Sequence, residues 1–127
     1  MAYRYHHIHL ICSDLKRMEN FFTEVLGAKF VEHRKFGTAD GAVLSLGGVK
    51  INLRTGREDD SISGDGSVQR YGLDHLGLEV DDMDAAYKDL TRRGYLFKTP
   101  PEKRPTAKVA FFSGPDNLVI ELIQPLS

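Results

Sequence analysis

Two stretches of the chain read alike: Tyr5–Asp14 is YHHIHLICSD and Leu73–Asp82 is LDHLGLEVDD. Set against each other with a shift of 68, His7 falls on His75, Asp14 on Asp82, and Ile8 and Leu10 on Leu76 and Leu78. The likeness continues outward. Gly27 maps to Gly94 at a shift of 67, and Ile51-Asn52-Leu53 maps to Ile120-Glu121-Leu122 at a shift of 69. A drift of one residue is what a changed loop length produces, whereas several matches in one order mark a duplicated unit.

Each stretch alternates in the period of a strand, with Ile8 and Leu10 on one side and His7, His9 and Ile11 on the other. Ser13 or Asp14 then offers a helix N-cap, Leu15, Met18, Phe21, Phe22, Val25 and Leu26 follow at helical spacing, and Gly27 supplies the C-cap. Lys29 to Lys35 reads as a strand, Phe36 to Gly41 as a loop, and Ala42 to Leu46 with Val49 to Arg54 as a hairpin across Gly47-Gly48.

The second half repeats this order. Asp74 to Val80 is a strand. Asp81 or Asp82 caps a helix that carries Met83, Ala86, Tyr87 and Leu90 on one face and ends at Gly94. Tyr95 to Thr99 is a strand, Pro100 to Pro105 a loop, and Lys108 to Phe112 with Leu118 to Ile123 a hairpin. The expected fold class is therefore α+β: two tandem βαβββ modules forming an open, curved mixed-sheet barrel around a cleft. Residues 1–127 would make one domain, with module one at 5–54, a polar linker at 55–72 and module two at 73–124.

If the apolar set Ile8, Leu10, Leu76 and Leu78 meets the helices, His7, His9 and His75 line the opposite, concave face. The last strands bring Asn52 and Glu121 to it. A carboxylate within an apolar strand is costly without a partner, and a divalent ion would supply one. His7, His75 and Glu121 are thus the expected metal ligands, suited to Fe²⁺, Mn²⁺, Zn²⁺, Ni²⁺ or Co²⁺. His9 is an acid–base, supporting or spare-ligand candidate, and Glu79, on the side of His75, a possible base. Lys50 and Arg54 share a face with Asn52 and could meet a carboxylate or phosphate. His33 lacks a repeat partner and reads as surface, and Cys12 reads as packing.

Composition narrows the class. Seventeen basic residues against eighteen acidic ones give a net charge of -1, which supports neither nucleic-acid nor membrane-surface binding. The single cysteine, Cys12, excludes an intramolecular disulfide and a thiolate metal cluster. No apolar run approaches the length of a membrane span, and the N-terminus lacks a long apolar region, so a cytoplasmic location is the expectation.

The segments HHIHLICSDL, FFTEVLGAKF, LDHLGLEVDD and FFSGPDNLVIELIQ, in this order, resemble the vicinal oxygen chelate superfamily, which includes glyoxalase I, methylmalonyl-CoA epimerase, extradiol dioxygenases and bleomycin-resistance proteins. The last segment departs from the family's F-x-D-P-D-G ending, with Gly114 for the first Asp and Asn117 for the Gly. The resemblance implies a metal held by His7, His75 and Glu121, with Asn52 at the family's fourth ligand position. Glyoxalase I usually carries a glutamate there, and an amide cannot take a proton as a carboxylate does. The resemblance thus implies an enzyme for a small substrate that chelates the metal through two neighbouring oxygens, leaning to dioxygenase chemistry. A glyoxalase- or epimerase-like lyase or isomerase is the alternative, and a metal-free ligand-sequestering protein the second. Superfamily members commonly dimerise, so a homodimer is expected.

Overall fold

The computed structural model describes residues 2–61 and 71–126, so residues 62–70 of the expected linker lie outside the described residues. The chain divides into two compact units, Met1–Ile62 and Ser63–Ser127. The first contains β1 (His7–Cys12), α1 (Leu15–Asn20) running into a π-helical turn (Phe21–Val25), then β2 (Lys29–Phe36), β3 (Ala39–Leu46) and β4 (Val49–Thr55). The second contains β5 (Leu76–Glu79), α2 (Met83–Arg92), β6 (Glu102–Lys103), β7 (Ala107–Ser113) and β8 (Val119–Pro125).

The two units share one topology. Their sheets run β1-β4-β3-β2 and β5-β8-β7-β6. In each the first strand is parallel to the last and the other pairs are antiparallel. Ile8 faces Ile51 as Leu76 faces Ile120, and His9 faces Asn52 as Gly77 faces Glu121. The duplication seen in the sequence is therefore one of register as well as of elements.

Local chemistry sets the helix ends. Of the paired cap candidates the second acts in each unit: Asp14 Oδ1 accepts from the Arg17 amide and Asp82 Oδ1 from the Ala85 amide, both at 3.0 Å. Gly27 and Gly94 leave the helices at φ +80° and +93°, a region costly to any residue with a Cβ. Helix α1 widens after Asn20. Leu26 N donates to Phe21 O at 3.1 Å, and Thr23 Oγ1 returns to Glu19 O at 2.8 Å. The sequential Phe21 and Phe22 are both buried there.

The cores follow the alternation. Met18, Phe21, Phe22, Leu44, Ile51 and Leu53 are almost fully buried in the first unit, where α1 packs on β3 and β4. Met83, Leu90, Phe112, Ile120 and Leu122 play that part in the second. The Met83 amide also donates to Gln124 Oε1 at 2.8 Å, tying the start of α2 to β8.

Two sequence expectations are corrected. Residues 36–41 are not a loop: β2 and β3 form a hairpin with Gly37-Thr38 between them, Gly37 taking φ +64°. Ala39, Asp40 and Gly41 lack strand character, but ladder bonds to β2 and β4 hold them extended. Nor is Tyr95–Thr99 a strand. It forms one isolated bridge, Phe97 with Phe112, and β6 lies inside the expected Pro100–Pro105 loop. Tyr95 and Phe97 are held by their rings, at 5.7 and 5.2 Å from Phe112, rather than by a backbone ladder.

Helix α1 also carries a residue the periodicity conceals. Glu19 falls on the buried face and is 5% exposed. His33 Nε2 on β2 meets its Oε1 at 2.5 Å. His33, expected to be plain surface, thus satisfies a buried carboxylate. His33→Ala leaves that group unpaired and should cost about 1–2 kcal/mol, read as a lower midpoint in urea unfolding; an unchanged midpoint would show that water serves Glu19 equally well.

Candidate functional site

Strand register brings one set of side chains to one face of the first sheet. His9, Asn52, Val43 and Glu32 form a row across β1, β4, β3 and β2, and Ile11, Arg54, Gly41 and Arg34 form the next. The first row, with His6, His7, Arg34, Phe36 and Lys50, lines a cavity of about 480 Å³. Of the expected site residues, His7, His9, Lys50 and Asn52 are thus brought together.

Asn52 is 8% exposed, and its Oδ1 is a buried acceptor without a hydrogen-bond partner among the described residues. Buried polar atoms are nearly always paired, so an unmet acceptor at this place in the sheet is unusual. His9 packs edge-on against Phe36 with centroids 4.5 Å apart. Burial first, then the positive charge of Arg54 and the neighbouring His7, lowers its pKa, which favours the neutral imidazole. His7 shares a hydrogen bond with His6 between their Nδ1 atoms at 2.8 Å, which directs Nε2 of His7 away from that contact.

Arg54 has another engagement. Its Nη1 donates to Asp60 Oδ2 at 2.8 Å and to Thr55 O at 3.0 Å. Asp60 also accepts from the Arg57 amide at 2.6 Å, fastening the chain after β4. The Arg54 side chain, then the Arg57 amide, holds the Asp60 carboxyl below its ordinary value. A carboxyl with a lowered folded pKa stabilises above its unfolded value and loses that contribution as pH falls through the folded one. Asp60→Asn is therefore expected to speed hydrogen exchange at the Arg57 amide at neutral pH, while acid strong enough to protonate Asp60 in the folded chain removes the difference from wild type.

In the second unit Glu121 reaches from β8 to His75, its Oε1 lying 3.1 Å from Nε2. The other ring nitrogen, Nδ1, is 2.8 Å from Asp74 Oδ2. Asp74 first, then Glu121, raises the pKa of His75 against the effect of burial. Gly77, opposite Glu121 in the ladder, holds the place that His9 fills in the first unit, and even a Cβ there would stand 3.7 Å from Oε1. Glu79, the expected base on this strand, is exposed and opposite Ile123.

This pair fits a divalent ion. Two ligands each about 2.1 Å from one ion and at right angles lie about 3 Å apart, which the His75–Glu121 separation matches. A carboxylate on the far nitrogen of a ligating imidazole is the usual support for such a histidine, and Asp74 provides it. Among the described residues no group of three or more His, Cys, Asp or Glu is gathered closely enough to hold a metal ion.

Sequence reasoning missed Asp74, Glu32, Arg34 and Phe36. Asp74 was legible as a carboxylate beside a ligand candidate. The β2 residues depended on a hairpin that the sequence reading took for a loop.

Two βαβββ units with a histidine on or immediately before the first strand and a carboxylate or amide on the last define a protein of the glyoxalase type. The chain belongs to the Glyoxalase/Bleomycin resistance protein/Dioxygenase superfamily, whose model matches residues 4–122. A glyoxalase/bleomycin resistance protein/dioxygenase domain from Frankia sp. EAN1pec is 27% identical, with a TM-score of 0.80 over 98% of this chain and 93% of that one. A variant of the fosfomycin resistance protein FosX from Listeria monocytogenes, solved with Mn(II) and a dihydroxypropylphosphonic acid, shares the fold at 20% identity, with a TM-score of 0.79 over 98% and 94% of the chains. The lactoylglutathione lyase of Schizosaccharomyces pombe is 25% identical over 96% of this chain, which spans 47% of that relative's length. The fold is thus α+β with two four-stranded mixed sheets, shared with these glyoxalase-type structures. No helix among the described residues is long and apolar enough to cross a membrane.

Proposed function

We propose that the protein is a divalent-metal-dependent enzyme acting on a small molecule that presents two neighbouring oxygens to the ion. The observation that carries this reading is the His75–Glu121 pair, spaced for a shared ion and backed by Asp74. In this reading His75 and Glu121 hold the ion together with His7, whose Nε2 is turned from His6. The bound ion would act as a Lewis acid that polarises a substrate oxygen.

Two reaction types suit such a ligand set. The likeness to a lactoylglutathione lyase supports a lyase or isomerase that moves a proton on carbon, and this is the reading placed first. His9, which lines the cavity, is then the proton acceptor, since Asn52 has no basic atom and Glu79 stands exposed. A dioxygenase, which the three-residue ligand set alone would suit, comes second.

Metal reconstitution of the purified chain followed by substrate trials separates these. Turnover of a hemithioacetal or exchange of a carbon-bound proton with Ni²⁺ or Zn²⁺ supports the first, and catechol-driven O₂ uptake with Fe²⁺ or Mn²⁺ the second. Ligand binding with no metal retained under any condition would replace both with a sequestering protein.

A further inference from the structure

The cavity of the first unit carries more charge than chelation of a metal by a substrate requires. Arg34 and Lys50 both line it, against a single carboxylate, Glu32. The Arg34 guanidinium lies 5.1 Å from the centre of the Phe36 ring, and Nη1 is a loose 4.0 Å from Glu32 Oε1. That distance is at the limit of an ion pair, so the planar fork of Arg34 keeps donors to spare. Lys50 stands opposite His7 in the ladder and has no ion pair among the described residues. Asn52, which is more than nine-tenths buried and whose Oδ1 has no partner among the described residues, lines the same cavity.

Two cations and one orphan acceptor in a single cavity describe a complementary ligand. We infer that this cavity recognises a small hydroxylated anion: Arg34 and Lys50 take a carboxylate or phosphate-type group, and Asn52 Oδ1 accepts from a hydroxyl of the same molecule. Arg34 and Lys50 are then specificity-determining residues, and the substrate class narrows to anions that carry a hydroxyl beside the charged group. The inference rests on the proposed chelating-substrate reading only in making this ligand the substrate. The recognition itself needs no metal.

The test is accordingly made on the full chain stripped of metal, by calorimetric titration with inorganic phosphate, lactate and propionate. Wild type is expected to bind phosphate, with Arg34→Gln and Lys50→Gln each weakening it roughly tenfold and Arg34→Lys falling between. Lys88→Gln, an exposed change on α2, should leave it unaltered. Lactate should bind more tightly than propionate, and Asn52→Leu should erase that difference while propionate binding persists. Arg34 and Lys50 are exposed, so their variants should keep the wild-type melting temperature. Absence of phosphate binding, or equal binding by wild type and both glutamine variants, overturns the cationic site. A lactate preference that survives Asn52→Leu overturns the role of the amide. Because no ion is present, these results stand apart from any failure of the metal reading.

Discussion

Replacing His75 with alanine is expected to abolish tight divalent-metal binding, measured as metal content after dialysis and as calorimetric affinity. The imidazole supplies one of the two donor atoms that stand 3.1 Å apart in the second unit. Without it, the second unit contributes only the Glu121 carboxylate, and with His7 alone beside it two single-atom ligands hold a transition metal poorly against water. Asp74 gives the graded control. It touches the ring only at Nδ1, so Asp74→Asn should weaken binding by about 10–100-fold, the usual range for a group that orients a ligand, whereas His75→Ala should exceed that range. Glu121→Gln should resemble His75→Ala, since an amide is a poor ligand in place of a carboxylate. A His75→Ala protein that retains a full equivalent of metal would remove the site. A loss in Asp74→Asn as large as in His75→Ala would make Asp74 a ligand and not a support.

The parts of the fold that could be read from sequence are those where local and long-range preferences agree. His7 to Cys12 alternates, Asp14 and Asp82 cap helices in place, and Ile51 and Ile120 pair with equivalent partners. These signals share one period, so the duplication survives the low likeness of the halves. The failures have a common cause in side-chain reach. Alternation places Arg54 on the cavity face, which is right, but says nothing of Asp60, which captures its guanidinium from a polar stretch without periodicity. Arg34 enters the cavity because β2 and β3 turn tightly at Gly37-Thr38, and nothing in Thr38-Ala39-Asp40-Gly41 announces a strand. Tyr95 and Phe97 have the composition of a strand yet are fixed through their rings. The unmet acceptor at Asn52 lies further still from sequence, since it depends on which neighbours fail to reach it.

Gly41→Ala should be among the most damaging single-methyl changes in the first unit. Gly41 is the third residue of β3, opposite Arg34 on β2 and Arg54 on β4, and its backbone needs no positive φ. Its requirement is space. An added Cβ would stand 2.5 Å from the carbonyl oxygen of Leu53 and would overlap the Phe36 ring, which lies across the glycine. The ring could turn away, but the carbonyl belongs to the central strand of the sheet and can yield only if β3 and β4 part. Leu53 is fully buried, so that separation also disturbs the core. Overpacking of this kind should cost about 3 kcal/mol, a large share of a small domain's stability. The consequence reaches the cavity, because the displaced ring is the one against which His9 packs and over which Arg34 lies. Gly41→Ala should therefore lower the melting temperature and weaken phosphate binding together. The double change Gly41→Ala with Phe36→Ala tests the cause. It should recover little stability if the Leu53 carbonyl is the obstacle, and most of it if the ring alone objects. Full stability in the single variant would mean that β3 and β4 have slack here, and the closeness of Phe36 to His9 would then need another explanation.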